Sequence, residues 1–453
     1  MKASAGNVLM IVQNLPVPFD RRVWLEAQTL RDYGCDVSVI CPKSARYHKS
    51  FERINDINIY RYKMPVDAHG VLSYFFEFTY AWLMTALLSL FIWFRHGFDV
   101  IQACNPPDTY FLLGAFYKLF GKKYVFDHHD LSPEMFTAKY NGSHPRLWRM
   151  LLWLEKMTMK TADVVMATND SYKDVAVQRG GKQARDVFVL RTGPDMQRLR
   201  VMPKDKNLLY GKKHMVCYLG EMCPQDGVDY LLRAVEHIYY NRKNRDVQFV
   251  VMGGGPAMPE FQKMSQALGL QENVHFTGRV SDETLCRYLS SADVCVAPDP
   301  NTEWSNHSTM NKVLEYMAFG KPIVSFDLLE TRVSAQHAAT YIKSNDTTAF
   351  GDAVLDLLAH PYKRECMGRY GYNRIRSQLS WAHTHKALLL AYQNVLPGLM
   401  SPEETEHTLT DYILTRIQGL AIDSLLFEHA TGAEHDFNPH AEFATWNLEA
   451  NIG

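Results

Sequence analysis

Short runs rich in valine and isoleucine recur along the chain, each followed by a polar or glycine-bearing loop and then by apolar residues at helical spacing. In the first half these runs are Val8–Val12, Val37–Cys41, Val100–Ala103, Tyr124–Asp127, Val164–Ala167 and Val187–Leu190. In the second half they are Met215–Leu219, Val247–Met252, Val274–Thr277, Val294–Ala297 and Ile323–Phe326. Runs that are apolar throughout, rather than at alternate positions, predict strands buried on both faces, and intervening helices predict parallel connections. The pattern therefore predicts an α/β protein with two doubly wound parallel-sheet domains. Arg198–Lys212 is polar and turn-rich, and separates the two series. This predicts a first domain over 1–200, a second over 201–377, a helix over 378–397 returning to the first domain, and an extension over 398–453. Ligands of open parallel sheets lie beyond the carboxyl ends of the strands, so two such domains predict a cleft between them.

The loops after the strands carry the candidate chemistry. Ser308–Ser325 reads S-T-M-N-K-V-L-E-Y-M-A-F-G-K-P-I-V-S. Ser308 is an expected N-cap, which leaves the N–H groups of Thr309, Met310 and Asn311 as first-turn donors for an anion. Glu315 falls about two turns later on the same face, where its carboxylate can grip the vicinal hydroxyls of a ribose. Gly320 and Pro322 end the helix before a buried strand. Phosphate at one end and a diol on the flank point to a nucleotide. F-D-H-H-D-L-S-P-E, residues 126–134, puts His128, His129 and Asp130 at the mouth of a strand. An imidazole there can hydrogen-bond a sugar hydroxyl, and a neighbouring carboxylate can fix its tautomer. The alternatives are a structural loop histidine or a metal site, but no third ligand at zinc spacing accompanies the pair. Gly220 and Gly227 permit close approach of backbone to ligand, and Gly254, in M-G-G-G-P, sits in a glycine turn.

Composition bounds the remaining choices. The formal charge of −1 conceals an acidic tail: residues 401–453 hold ten Asp and Glu against Arg416 alone, which leaves residues 1–400 at +8. A basic body suits anionic ligands or an acidic membrane surface. No basic stripe with interleaved aromatics points to nucleic acid. The eight cysteines are scattered without a C-x-x-C pair, as expected of reduced thiols in a cytoplasmic protein. Residues 71–94 form a 24-residue stretch whose one charge is Glu77. Lying between two strands of one expected sheet, it reads as a core helix, as peripheral contact with the inner face of a membrane, or, least readily, as a span. Ser401, Pro402 and Glu404 form a capping box ahead of an acidic amphipathic helix.

In this order the segments resemble the family 4 retaining glycosyltransferases of the GT-B fold, over roughly residues 7–397. The resemblance implies two Rossmann-like domains facing each other across a cleft. It implies that Ser308–Asn311 hold a diphosphate, that Glu315 binds ribose, and that Phe276, Thr277 and Gly278 lie near the base. It further implies that His129 with Asp130 lies beside the transferred sugar, that Glu330 is a donor-site acid, and that Arg191, Thr192 and Gly193 form the loop before the linker. Departures accompany it. His307 stands where the family has the first of two glutamates and inherits its donor-sugar position, while Glu221 and Asp226 replace the usual cations at the diphosphate. Lys312, with Arg191 or Arg279, is then the expected compensating cation, and Asp20 and Arg22 are the expected acceptor or phosphate contacts. His129, Lys312 and Glu315 are expected to carry the reaction, which moves a sugar from a nucleoside diphosphate sugar to a glycan or lipid-linked acceptor. No metal is expected, since no D-x-D triplet occurs. The alternatives are a catalytically silent nucleotide-binding scaffold and a nucleotide-sugar epimerase.

Overall fold

A computed structural model describes residues 5–64, 71–140 and 144–430. Among these, the first sheet contains β1 (Gly6–Ile11), β2 (Cys35–Pro42), β3 (Phe51–Ile54), β4 (Ile57–Tyr62), β5 (Val100–Cys104), β6 (Lys123–His128), β7 (Val164–Ala167) and β8 (Val187–Val189). Its order is β3-β4-β2-β1-β5-β6-β7-β8, parallel except for the antiparallel pair β3 and β4. The second sheet contains β9 (His214–Leu219), β10 (Val247–Met252), β11 (Val274–Gly278), β12 (Val294–Ala297), β13 (Ile323–Phe326) and β14 (Ala339–Ile342). Its order is β11-β10-β9-β12-β13-β14, parallel throughout.

Alternation along β9 shows why these strands read as unbroken apolar runs. Met215 and Cys217 enter one core cluster and Val216 and Tyr218 the other, so helices cover both faces. Three strands escape the apolar pattern. The β3–β4 hairpin turns through Asn55 and Asp56, both at positive φ, and its outer strand carries Glu52 and Arg53, charges that suit an edge. The edge strand β14 is only four residues long.

Strand order reverses beside β1 in the first sheet and beside β9 in the second. The loops after β1, β5, β9 and β12 therefore open the crevice in which ligands of such sheets sit. After the second sheet the helix Trp381–Gln393 packs on the first, where Trp381 Nε1 donates to Thr29 Oγ1 at 3.0 Å and Tyr392 donates its hydroxyl to Gln102 at 2.5 Å. Both sheets belong to one compact unit, residues 1–409. Residues 410–453 are a second unit, described as helix as far as Ala430, and the rest of the expected extension lies outside the described residues. The helix Pro402–Ala430 starts with a reciprocal cap between Ser401 and Glu404.

Candidate active site

One wall of the crevice is organised by a carboxylate. Asp127, near the end of β6, is fully buried. Its Oδ1 accepts from Arg22 Nη2 at 2.6 Å, and its Oδ2 lies 2.5 Å from Nε2 of His129. Burial opposes ionisation of Asp127, but the charges of Arg22 and His129 outweigh it and hold the carboxyl far below its ordinary range. Asn105, after β5, pins the loop by accepting from the backbone N–H groups of His129 at 2.7 Å and Asp130 at 3.2 Å. His129 remains 16% exposed at its side chain. Its Nε2 edge is committed to Asp127, so the Nδ1 edge is the one presented to a ligand. Asp20 and Asp130 stand close enough to feel the His129 charge; burial raises both carboxyls and His129 partly offsets it.

Cys104, Asp127 and His129 bring potential metal-ligating atoms within 4.8 Å of one another. Burial and the nearby Asp127 charge push the Cys104 thiol well up, which keeps it protonated and a poor ligand. Arg22 already supplies the positive charge that Asp127 requires. The trio therefore reads as a balanced polar cluster.

The opposite wall is richer in acids. Lys312 Nζ lies 2.7 Å from Asp299 Oδ1 and 4.8 Å from the ring centre of Tyr218. Asp226 is close by; burial, with Lys312 opposing and Asp299 adding to the shift, raises its carboxyl to about 6. Glu221 is held by Arg279 at 2.8 Å. Glu315 accepts from Arg198 of the linker at 2.7 Å, and Arg198 also holds Asp282 at 2.9 Å. Gly227 has φ of 75°, and a Cβ there would meet Pro298 O at 2.0 Å, so the loop after β9 and the loop after β12 fit back to back only because it is glycine.

Direct hydrogen bonds join the two walls. Asn169 Nδ2 donates to His307 O at 2.8 Å and to Thr309 Oγ1 at 3.0 Å. The hydroxyls of Tyr172 and Ser308 are 2.9 Å apart. Ser171 donates to Glu330 Oε1 at 2.7 Å, and Arg191 reaches Glu330 Oε2 at 3.5 Å and Thr309 Oγ1 at 3.4 Å.

Residues 20–198 match the family model described as Glycosyltransferase Family 4, and residues 213–360 match Glycosyl transferases group 1. The chain belongs to the family 4 glycosyltransferases. An alpha-D-kanosaminyltransferase of Streptomyces kanamyceticus is 27% identical over 52% of this chain and 62% of its own length. A GDP-mannose-dependent alpha-(1-6)-phosphatidylinositol monomannoside mannosyltransferase of Mycolicibacterium smegmatis is 29% identical over 38% of this chain and 45% of its own. The chain thus spans less than two thirds of either relative. Among solved structures, Anabaena HepE in complex with UDP and glucose superposes with a TM-score of 0.65 at 16% identity, covering 84% of this chain and 98% of the other. The fold of this glycosyltransferase is GT-B.

Within that frame several expected contacts are corrected. Ser308 is not an N-cap: Thr302 caps a separate short helix, Glu303–His307, and Ser308 closes it by donating to Trp304 O at 2.7 Å. The next helix, Asn311–Ala318, begins after Met310, which supplies no side-chain cap. Arg22 faces inward and bonds to Asp127, Glu26, Leu190 O and Thr192, so its guanidinium is not offered to a phosphate. Asp20 caps the helix Arg21–Asp32 by accepting from Val23 N at 3.1 Å. The carboxylate that orients His129 is Asp127, not Asp130. Gly254 lies against Arg279, and its neighbours Gly253 and Gly255 press on Gly220 and Met222, so this turn serves loop packing. Gly278, at φ 68°, faces open space, and Gly220 leaves room for Tyr218 and Lys312. Asp127, Asn105, Asn169 and Asp299 are the site residues that the motifs did not single out. Each sits at or just beyond the carboxyl end of a strand, which is the signal that could have found them.

Proposed function

We propose that this glycosyltransferase moves a sugar from a nucleoside diphosphate sugar to an acceptor hydroxyl with retention at the anomeric carbon, in building an envelope, exopolysaccharide or lipid-linked glycan. The observation that carries the reading is the Asp127-held His129, whose loop leads into the helix Ser132–Tyr140, packed on the helix Glu303–His307 just ahead of Ser308–Lys312. In this reading His129 Nδ1 meets a hydroxyl of the transferred sugar. Lys312 and the start of the helix Asn311–Ala318 face the diphosphate, beside the backbone at Gly220 and Gly227. Glu315 takes the ribose hydroxyls in place of Arg198, with Gly278 and Arg279 near the base. Arg191, Glu330 and His307 border the sugar, and Asp20 and Asp130 border the acceptor. The bond from C1 to the diphosphate oxygen breaks with its electron pair leaving on phosphate. The acceptor oxygen bonds to C1 and its proton passes to the departing phosphate.

The names of relatives support the substrate class: one is GDP-mannose-dependent with a phosphatidylinositol-borne acceptor, and HepE was solved with UDP and glucose. The test is a thermal-shift screen of UDP-, GDP- and ADP-sugars, followed by NMR of the anomeric configuration of the product. A donor at 100 times its Kd stabilises by about 2.7 kcal/mol. Inversion, or no stabilisation by any donor, overturns the proposal. A second reading, nucleotide binding without transfer, is favoured by the pairing of Lys312 and Arg279 with acids. Donor binding with neither transfer nor hydrolysis would select it.

A further inference from the structure

The helix Val71–Arg95 reverses the usual arrangement of a helix lying on a sheet. The stripe that faces the protein is Ala81, Thr85, Ser89 and Ile92, all buried. Its polar members are satisfied, with Ser89 Oγ 2.8 Å from the Tyr117 hydroxyl and Thr85 Oγ1 3.4 Å from that of Tyr110. The stripe that faces away is Leu83, Leu87, Phe91 and Phe94, at 52%, 62%, 48% and 81% exposure. An outward helix face is ordinarily polar. Here it is more apolar than the inward one.

The apolar surface continues onto two more helices. Trp93 packs against Phe116 and Phe120, at 6.5 and 4.9 Å between ring centres, beside the exposed Leu112 and Leu119. Phe111 meets Trp153 of the helix Pro145–Thr161 edge-on at 6.2 Å, and Trp148 and Met150 of that helix are exposed. A patch drawn from three helices exceeds what a monomer leaves in water without purpose. Its helices carry basic residues at the surface: Arg95 ends the first, and Arg146, Arg149, Lys156 and Lys160 of the third are all exposed, whereas Glu155 of the third helix is buried against Arg179 and Asp99, after the first, is paired with Lys122.

We propose that this three-helix face docks on an anionic lipid bilayer, with the helix Val71–Arg95 lying in the plane of the interface. Residues 76–95 are long and apolar enough to cross a membrane. Crossing would pull Ala81 and Ile92 out of the core they share with Leu9, Ile11 and Ile40, between strands β4 and β5 of one sheet. Charge selects the occupant. Two copies meeting through this face would set these basic residues against one another, while acidic headgroups neutralise them and the interface accepts exposed Trp and Phe. The helix Pro145–Thr161 packs on Ser132–Tyr140, which starts two residues after Asp130. If the proposed reaction holds, docking brings the His129 side of the crevice towards lipid-borne acceptors.

The test needs no donor. Full-length protein is floated with vesicles of phosphatidylcholine alone and of phosphatidylcholine with phosphatidylglycerol. Wild type is expected to float with the anionic vesicles only, and less so in high salt. Leu87→Ser/Phe94→Ser/Trp153→Ser and, separately, Arg146→Ser/Arg149→Ser/Lys156→Ser are each expected to weaken binding about tenfold or more. All six side chains are exposed, so unchanged melting temperatures would show the variants folded. Wild type remaining unfloated with both vesicles, equal binding to neutral vesicles, or variants that float like wild type would overturn the proposal. Self-association that the apolar variant abolishes, without vesicle binding, would assign the face to a second copy instead.

Discussion

The two walls of the crevice solve the problem of charge in opposite ways. On the first, one buried carboxylate is shared: Asp127 pairs with Arg22 at 2.6 Å and holds His129 at 2.5 Å, so its charge is met before any ligand arrives. On the second, one buried cation serves several acids: Lys312 contacts Asp299, with Asp226 nearby, while Glu221 occupies Arg279. The first wall is organised in advance, so a ligand finds its hydrogen-bonding group already aimed. The second is set against a diphosphate, so a donor must compete with protein carboxylates for Lys312. Affinity and turnover should therefore fail separately when the two walls are altered.

The largest effect is expected on the organised wall. Asp127→Ala leaves Arg22 buried with Glu26 as its remaining acid, and breaking such a pair typically costs about 3–5 kcal/mol. A denaturant or thermal melt should show this loss together with loss of transfer; wild-type stability would mean that Arg22 finds another partner and that the wall is not organised by Asp127. His129→Ala should separate geometry from stability. Its side chain is partly exposed, so the melt should move by less than about 1 kcal/mol while kcat falls roughly 100-fold and donor Kd stays fixed. A rise in donor Kd with kcat preserved would place His129 in donor binding instead.

Legibility in the sequence follows the same division. Buried parallel strands are continuous apolar runs, and each of the eleven runs lies within or overlaps a strand of the structure. The β3–β4 hairpin was hidden because an edge needs charge more than apolar residues, though Asn55-Asp56 between alternating segments is a turn signal. At the site, residue types were legible and pairings were not. Asp127 is the penultimate residue of β6 and His129 the first residue past its end; alternation carried one residue beyond the strand puts the two on one face and Asp130 on the other. That spacing identifies Asp127 as the partner, against the more obvious neighbour. Arg22 looked like a ligand contact because one of its two acids, Asp127, lies 105 residues away, although the other, Glu26, stands four residues on. Ser308 looked like a cap because a one-turn helix before it leaves no apolar period to read.

The acidic wall can be relieved one charge at a time. Asp226→Asn keeps an acceptor for the Cys223 N–H, which Asp226 Oδ2 now receives at 2.9 Å, and removes a negative charge near Lys312. Donor binding should tighten several-fold, equivalent to about 1 kcal/mol for a partly screened charge, with kcat nearly unchanged. Isothermal titration with the donor from the thermal screen measures it. Weaker binding would mean that Asp226 accepts a hydrogen bond from the donor, which would make the acids of this wall part of recognition.

The smallest effect is the same relief achieved by pH. Burial holds the Asp226 carboxyl at about 6, above its ordinary 3.8, so the folded protein takes up a proton there that an unfolded chain would not hold until lower pH. The sign follows directly. Above pH 6 Asp226 is charged and opposes the diphosphate; below it the carboxyl is neutral, and Lys312 faces Asp299 with one fewer acid competing. Donor Kd in wild type should therefore fall modestly as pH drops from 7 to about 5.5, by less than the substitution achieves because protonation is incomplete. Stability alone is a poor readout of this group, since burial also raises Asp108 to about 6 and Glu155 to about 7. The decisive measurement is the pH dependence of donor Kd in wild type against Asp226→Asn. A flat profile in the variant and a slope in wild type assign the effect to Asp226, while parallel slopes show that Asp226 is not its source.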